Sequence, residues 1–184
     1  MALEKPKRIA DSTLLAAQAG DEAALTALLV PHEGMLRSLC RGVLGSTDEA
    51  EDALQETFLK AIQGLGSFRG ESELKTWLVR IALNVCYSAR RRPLLMSLQE
   101  EFIALTMPSP ERQVVGQALL DEALATLSVT RRAAYLLKIE GWSLKEIGLA
   151  QGWSESRVKV ELFRTRQILA KWAGHQRELE EEVK

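Results

Sequence analysis

Residues 143–164 read SLKEIGLAQGWSESRVKVELFR, and the spacing of their apolar residues predicts two helices joined by a short turn. Gly152 can adopt the left-handed backbone conformation that such a turn needs, and Ser154 can cap the helix that follows. Ile147 and Val158 fall at the positions where the two helices would contact each other. The stretch therefore predicts a helix-turn-helix.

The second helix of this pattern has a buried side and an exposed side. The predicted buried positions are Val158, Leu162, Thr165 and Leu169. On or beside the exposed face are side chains that can reach base edges and phosphates in the major groove of duplex DNA. They are Ser154, Ser156, Arg157, Lys159, Val160, Glu161, Phe163, Arg164, Arg166 and Gln167. Many helical hairpins imitate this pattern, but an exposed Val160 and Phe163 beside arginines favour DNA recognition.

The charge distribution supports that interpretation, although the formal net charge of the whole chain is only −1. Residues 131–172 contain nine Lys and Arg residues against four Asp and Glu residues, which gives this segment a net charge of +5. A basic segment of this kind is typical of a nucleic-acid-binding module. The acidic residues 175–184 are predicted to form a frayed, solvated tail.

A second informative segment, residues 48–65, predicts a helix with acidic residues in its first turn, where they suit the helix dipole. One side of this helix is the predicted core stripe, which comprises Ala50, Ala53, Leu54, Thr57, Phe58, Ala61 and Leu65. The other side carries Asp48, Asp52, Gln55 and Glu56, with Leu59 exposed among them. A simple solvated face is one interpretation of these carboxylates. The exposed leucine within a polar ring favours the other, a surface that docks a basic protein partner.

Residues 73–92 predict a further helix, which Pro93 is expected to stop. Its predicted core positions are Leu74, Leu78, Ile81 and Val85. A neighbouring face carries Trp77, Arg80, Asn84, Tyr87 and Arg91, and Arg90 adds positive charge. Aromatic rings stack on unpaired bases, arginines neutralise phosphates and an asparagine amide reads a base edge, so this face predicts binding to melted DNA. The alternative is that the aromatic residues border the core and the arginines only solubilise the helix.

Helical periodicity dominates the rest of the sequence, so the predicted fold is all-α, with two small helical domains. A chain of 184 residues with 46% hydrophobic residues is long and apolar enough for such cores. Weak periodicity together with Pro108 and Pro110 marks residues 94–110 as a flexible linker. The first domain is predicted at residues 10–93 and the second at residues 111–174.

The sequence lacks the signals of several other protein classes. Cys40 and Cys86 have no CxxC spacing and are predicted to be packed, reduced thiols, and neither has a metal-ligand spacing with His32 or His175. Without a P-loop or a paired serine and histidine motif, no enzymatic activity, cofactor or metal is expected. The start lacks a secretory apolar region and no apolar run is long enough to span a bilayer, which predicts a soluble cytoplasmic protein without membrane insertion.

Several motifs, in this order along the chain, resemble those of a known family. They are DEAEDALQETFLK at 48–60, FRG at 68–70, WLVRIALN at 77–84, RRR at 90–92, PE at 110–111, EGWSLKEIG at 140–148 and FRTR at 163–166. The combination resembles the extracytoplasmic-function (ECF) class of the sigma-70 family, which keeps only the second and fourth conserved regions. The resemblance covers most of the chain and implies a bacterial transcription initiation factor, with a region 2-like helical bundle and a region 4-like helix-turn-helix domain.

The resemblance also implies which residues bind each partner. Asp48, Asp52, Gln55, Glu56 and Leu59 would dock on the clamp helices of the largest catalytic subunit of core RNA polymerase. Phe68, Trp77, Arg80, Asn84, Tyr87, Arg90 and Arg91 would capture flipped, non-template bases of the minus-10 promoter element. The helix at residues 154–166 would read the duplex minus-35 element, and the linker would pass towards the active-site cleft of the polymerase. An anti-sigma factor is an expected further partner.

Three positions depart from the family pattern, and one alternative function stays open at this stage. Glu161 stands where the family commonly carries a basic or small polar residue, and its carboxylate would repel a phosphate but could accept a hydrogen bond from a cytosine amine. Gly148 replaces the usual alanine, and residues 128–129 stand where a proline is common. The alternative function is a stand-alone regulator that binds duplex operator DNA without RNA polymerase.

Overall fold

Residues 11–97 fold into five helices around a common core. A computed structural model of the protein describes residues 11–97 and 121–182. The first range contains α1 (Asp11–Gln18), α2 (Glu22–Leu29), α3 (Glu33–Leu44), α4 (Thr47–Gly64) and α5 (Leu74–Ser97). Short 3₁₀ helices at Val30–His32 and Leu65–Ser67 follow α2 and α4.

Residues 121–182 are largely helical as well. Residues 121–125 are helical and are labelled α6, and α7 (Val129–Ile139), α8 (Leu144–Gln151) and α9 (Glu155–Glu182) follow. Neither of the two described ranges contains a β-strand, so the all-α prediction is confirmed. Residues 111–120, which were predicted to begin the second domain, lie outside the described residues.

Local sequence signals set the boundary between α3 and α4. Gly45 ends α3 in the left-handed conformation, with φ 76°, a backbone geometry that glycine adopts without steric cost. Ser46 precedes α4 and caps it, because its Oγ accepts a hydrogen bond from the Glu49 N–H at 3.3 Å. Asp48 and Glu49 occupy the first turn of α4, where their negative charge suits the helix dipole.

Two helix ends differ from the prediction. The expectation that Pro93 stops α5 was wrong, because the helix continues to Ser97 although Pro93 has no N–H to donate within it. The predicted linker is therefore helical up to residue 97, and its remainder lies outside the described residues. Residues 175–182, which were predicted to be part of a frayed tail, belong to the long helix α9, because Gly174 weakens a helix by only about 1 kcal/mol and good helix formers follow it.

Helix α5 lies at the centre of the protein. Its predicted core positions Leu74, Leu78 and Val85 are buried, and Ile81 is partly buried. A second apolar stripe is fully buried too, and consists of Val79, Leu83 and Cys86. Helices from both halves of the chain pack against α5 and cover these two stripes. They are α3 and α4 from the first half and α7 and α8 from the second. Each buried leucine or valine contributes about 1.5–3 kcal/mol to stability.

One hydrophobic core joins the two halves of the chain. α7 packs on α3, and α8 packs on α5. At the first of these contacts Gly42 lies against Leu136, and a Cβ atom at residue 42 would lie 2.8 Å from Leu136 Cδ1. Cys40 and Cys86 belong to the same core and are buried, reduced thiols, as predicted. The two predicted modules are therefore packed against each other here.

The helices of residues 11–97 and 121–182 differ in hydropathy or length from membrane spans. No individual helix there combines the length and the hydropathy needed to cross a bilayer. Two consecutive stretches, Ser12–Gln18 and Glu22–Leu44, meet those criteria only in combination, and a 117° bend separates them. Leu28, Leu36 and Leu44 of the second stretch are buried in the protein core.

Candidate nucleic-acid interface

The bend of the predicted helix-turn-helix is present between α8 and α9. Gly152 follows α8 in the left-handed conformation, with φ 68°, and the Trp153 N–H donates to the Gly148 carbonyl at 2.9 Å. Ser154 Oγ accepts a hydrogen bond from the Arg157 N–H at 3.2 Å and so caps α9. Ile147 and Val158, the predicted contact between the two helices, are fully buried. The predicted helix-turn-helix is thus confirmed in its turn, cap and core.

A capping box fixes the start of α8. The Ser143 N–H donates to Glu146 Oε2 at 2.8 Å, and the Glu146 N–H donates back to Ser143 Oγ at 3.2 Å. Hydrogen bonding from the Ser143 side chain, the largest influence, holds the pKa of Glu146 below its usual value. The side chain therefore stabilises the helix-turn-helix more when it is ionised than when it is protonated.

A pH series tests this cap through the substitution Glu146→Gln, which keeps a side chain that can accept the hydrogen bonds but removes the charge. A carboxyl whose pKa is lowered by folding adds stability above its unfolded pKa, and that stability is lost as the pH falls through the folded pKa. We expect wild-type protein to exceed the variant by about 0.5–1 kcal/mol in free energy of unfolding near neutral pH. Urea unfolding should show this difference shrinking below about pH 5; a difference that stays constant down to about pH 3 would contradict the assignment.

The outer face of α9 combines apolar and basic side chains. Val160 is 46% exposed and Phe163 is 58% exposed, although both are large apolar residues. Exposed polar and basic residues surround them, namely Ser156, Arg157, Lys159, Arg164, Arg166 and Gln167. The Arg157 guanidinium lies over the Trp153 ring, 4.6 Å from its centroid, and this cation–π contact restrains its position. The predicted inner positions Val158, Leu162 and Thr165 are buried, and Leu169 is partly buried.

Glu161 differs from its neighbours because its carboxylate binds two arginines of this chain. Oε2 accepts a hydrogen bond from Arg131 Nε at 2.6 Å, and Oε1 accepts one from Arg164 Nη1 at 3.0 Å. The Glu161 side chain is only 14% exposed. The hydrogen bond from Arg131, followed by the charges of both arginines, lowers the pKa of this carboxyl. The predicted hydrogen bond from a cytosine amine would therefore compete with two guanidinium groups.

Trp77 borders a cleft at the start of α5. Its ring packs against that of Phe68, with ring centroids 5.1 Å apart and an interplanar angle of 46°. Phe68 is buried, and its contact restrains the Trp77 indole. Arg80, Asn84 and Arg91 are exposed. The cleft has a volume of about 510 Å³ and is lined by Ser67, Phe68, Arg69, Glu71, Ser72, Thr76, Trp77, Arg80 and Leu149. Helical periodicity did not identify Arg69, Glu71 and Ser72 as lining residues, because they lie in a loop between helices.

Tyr87 and Arg90, two other predicted DNA-binding residues, are engaged by other parts of the chain. The Tyr87 hydroxyl donates to Gln151 Oε1 at 2.5 Å, and Gln151 Nε2 donates to the Thr130 carbonyl at 3.0 Å. Burial raises the pKa of the Tyr87 phenol above its ordinary value. Arg90 donates to the Leu44 carbonyl at the C-terminal end of α3. Both side chains would have to leave these partners before they could contact DNA.

Arg132, a buried cation, ties α7 to α6 and α3. Its Nε donates to the Leu124 carbonyl at 2.8 Å, and its Nη1 donates to the Val43 carbonyl at 3.1 Å. Val43 lies in the last turn of α3, where exposed carbonyl groups and the helix dipole favour a positive charge. Burial, followed by the nearby charge of Arg90, lowers the pKa of Arg132. The sequence did not predict this role of Arg132, because the Val43 carbonyl is 89 positions away along the chain.

The acidic face of α4 is arranged as predicted. Asp48, Asp52, Gln55 and Leu59 are exposed, with Leu59 at 60%, and Glu56 is partly buried and pairs with Lys60 at 2.8 Å. The opposite side is buried at Ala50, Ala53, Leu54, Thr57 and Ala61. Ile62 is 47% exposed and extends the apolar patch of Leu59 by one further side chain, which the sequence analysis did not anticipate.

Comparisons with known proteins show the family of this chain. The family description Sigma-70 region 2 matches residues 28–93, and Sigma-70, region 4 matches residues 117–169. The chain is 32% identical over 167 residues to the ECF RNA polymerase sigma factor SigM of Mycobacterium tuberculosis. The aligned region covers 90% of this chain and 85% of SigM. The chain belongs to the ECF class of the sigma-70 family. It is therefore a promoter-directing subunit that works with core RNA polymerase and promoter DNA, and the alternative of a stand-alone operator-binding regulator is wrong.

Further relatives agree with this ECF sigma factor assignment. The RNA polymerase sigma-H factor of Pseudomonas aeruginosa is 33% identical over 174 residues, covering 84% of this chain and 88% of that protein. The structure of the sigma factor RpoE in complex with the anti-sigma factor NepR, from Bartonella quintana, is similar with a TM-score of 0.66 and 27% identity. That similarity covers 79% of this chain and 94% of RpoE. Sigma factors are transcription initiation factors, which agrees with the absence of a catalytic motif from the sequence.

Proposed function

We propose that this ECF sigma factor uses three separate surfaces in promoter-directed initiation. The α4 face, with Asp48, Asp52, Gln55, Glu56 and Leu59, docks on core RNA polymerase. The α5 face, with Trp77, Arg80, Asn84, Tyr87, Arg90 and Arg91, captures melted minus-10 DNA, and the preceding Phe68 takes part by holding the Trp77 ring in place. The outer face of α9 reads the duplex minus-35 element. The observation that supports the α4 and α9 surfaces is that Leu59, Val160 and Phe163 are large apolar side chains exposed to solvent, each beside charged groups that suit its partner.

The packed arrangement of the two halves has to open before all of these surfaces can act together. Leu149 of α8 lines the cleft beside Trp77, and Gln151 of α8 binds Tyr87. An α8 that stays in place therefore hides part of the minus-10 surface. We propose that residues 10–93 and 111–174 act as domains that separate when the protein binds core polymerase, whose contacts would offset the loss of the interdomain packing.

A regulatory partner is also part of the proposal. The relative RpoE was crystallised in complex with the anti-sigma factor NepR. By similarity to RpoE, this chain would be held by an anti-sigma factor and released to bind core polymerase. The proposed setting is the cytoplasm, without enzymatic activity, cofactor or bound metal.

Reconstitution with core RNA polymerase tests the proposed function as a whole. The purified chain should form a stable complex with core enzyme and direct initiation at a subset of DNA sequences in a random library. Failure to bind core enzyme, or binding to duplex DNA that is equally tight with and without polymerase, would contradict the proposal.

The docking surface on α4 has a matched test in two exposed leucines. Leu59→Ala should weaken binding to core polymerase about tenfold, because an apolar side chain at the centre of a protein interface contributes about 1–2 kcal/mol. Leu15→Ala on α1 removes the same atoms from a side chain that is 64% exposed, compared with 60% for Leu59. Binding curves with fluorescently labelled protein should show no loss for Leu15→Ala; equal losses for both variants would contradict a specific docking role for Leu59.

A further inference from the structure

Two arginines from different helices meet at the carboxylate of Glu161. Arg131 comes from the first turn of α7 and Arg164 from the outer face of α9, and both bind Glu161 at 3.0 Å or less. The side chain of Glu161 is 14% exposed, that of Arg131 is 31% exposed and that of Arg164 is 56% exposed. The acid is thus the most buried member of the trio, and the arginine on the proposed DNA-reading face is the most exposed.

The position of Arg131 explains why an acid is needed between the two arginines. A cation in the first turn of a helix lies at the positive end of the helix dipole, and a second guanidinium nearby repels it further. Glu161 compensates both effects and joins α7 to α9 by a charge-assisted hydrogen bond. Without the carboxylate the two guanidinium groups would repel each other. Each would then move towards solvent, and its side-chain orientation would no longer be fixed.

We propose that Glu161 is a specificity-determining positioning residue, which fixes Arg164 for reading the minus-35 duplex instead of contacting a base itself. A guanidinium carries five N–H donors, so one bond to Glu161 can orient Arg164 and still leave donors for a guanine edge or a phosphate. The negative charge weakens the general attraction of α9 to DNA, and in return the orientation of Arg164 favours one sequence over others. This inference rests on the proposed role of α9 in minus-35 recognition.

Sequence selection with reconstituted holoenzyme tests the inference. Wild-type holoenzyme first selects an upstream duplex element from a random library, and binding to that element is then compared with binding to a scrambled duplex of equal composition. Glu161→Gln should bind the scrambled duplex more tightly, because one negative charge is lost. Its discrimination between the two duplexes should fall about tenfold, because the arginine contact that it positions is no longer held in place.

Two further variants separate positioning from direct base reading. Arg131→Gln removes the other end of the α7 to α9 link and should also lower the discrimination. A base-reading Glu161 would instead keep or increase its discrimination in this variant, because Arg131 no longer competes with the base for the carboxylate. Glu155→Gln changes the net charge by the same amount on an exposed residue in the first turn of α9, and should leave the discrimination unchanged.

The outcomes distinguish the inference from the function on which it rests. Unchanged discrimination in Glu161→Gln, or loss of preference at a single base pair together with undiminished discrimination in Arg131→Gln, would overturn the positioning role while leaving minus-35 recognition intact. Wild-type holoenzyme that enriches no upstream element would instead overturn the proposed role of α9, and the inference with it.

Discussion

Replacing Arg132 with methionine is expected to lower the free energy of unfolding by about 3 kcal/mol. The Arg132 residue is 9% exposed, and its guanidinium donates hydrogen bonds to the carbonyls of Leu124 and Val43. Methionine fills much of the same volume but carries no donor, so both carbonyls would lose their partner at a site that water reaches poorly. Buried ion pairs can be replaced by apolar residues at little cost when both partners change, but here the backbone carbonyls stay.

Urea unfolding followed by circular dichroism measures this effect. Arg41→Met on the same helix as Val43 is the matched control, because Arg41 is exposed and its loss should change the free energy of unfolding by no more than about 0.5 kcal/mol. An Arg132→Met protein as stable as wild type would show that the link between α7 and the end of α3 does not stabilise the packed arrangement.

The substitution Gly148→Ala is expected to destabilise the helix-turn-helix by about 1–3 kcal/mol. A Cβ atom at residue 148 would lie 2.6 Å from the Trp153 carbonyl oxygen, closer than any real contact of this type, and the obstacle is backbone that cannot rotate away. The Gly148 carbonyl also accepts the Trp153 N–H that closes the turn, so a shift would disturb that bond as well. The usual alanine of the family at this position would therefore not fit the turn of this chain without a backbone shift.

Gly174→Ala provides the matched control for this prediction. Nothing lies within 4 Å of the position that its Cβ would take, and the residue lies within α9. Alanine should therefore stabilise the protein by about 0.5–1 kcal/mol, the ordinary difference in helix propensity. Thermal and urea unfolding of both variants should give shifts of opposite sign; a stabilising Gly148→Ala would mean that the turn adjusts freely.

The helix-turn-helix was predictable from sequence because its determinants are local. Glycine is the only residue type that adopts a left-handed turn without steric cost, and Gly152 occupies this turn. Ser154 accepts its hydrogen bond from the N–H of Arg157, only three residues along the chain. The alternation of Val158 and Leu162 with Val160 and Phe163 likewise separates a buried side from an exposed side within one helix. Each of these features depends on residues that are close in sequence.

The packing between the two halves was not predictable in the same way. The buried stripe of Val79 and Leu83 is covered in part by helices that occur more than forty residues later in the chain. Arg132 binds a carbonyl 89 positions away, and Glu161 binds Arg131 across 30 positions. Helical periodicity identifies which residues share a face, but it does not identify the distant group that covers that face.

A single comparison of Trp77→Ala and Arg164→Ala in reconstituted holoenzyme tests the division of labour between the two DNA surfaces most directly. Closed-complex affinity and promoter melting would be measured separately on one promoter, the second by fluorescence of a base analogue in the minus-10 element. Trp77→Ala should reduce melting at least about tenfold while closed-complex affinity stays within about twofold, because stacking on an unpaired base requires melted DNA. Arg164→Ala should weaken the closed complex about tenfold. If both variants impaired both steps equally, the assignment of α5 to melted DNA and α9 to duplex DNA would be contradicted.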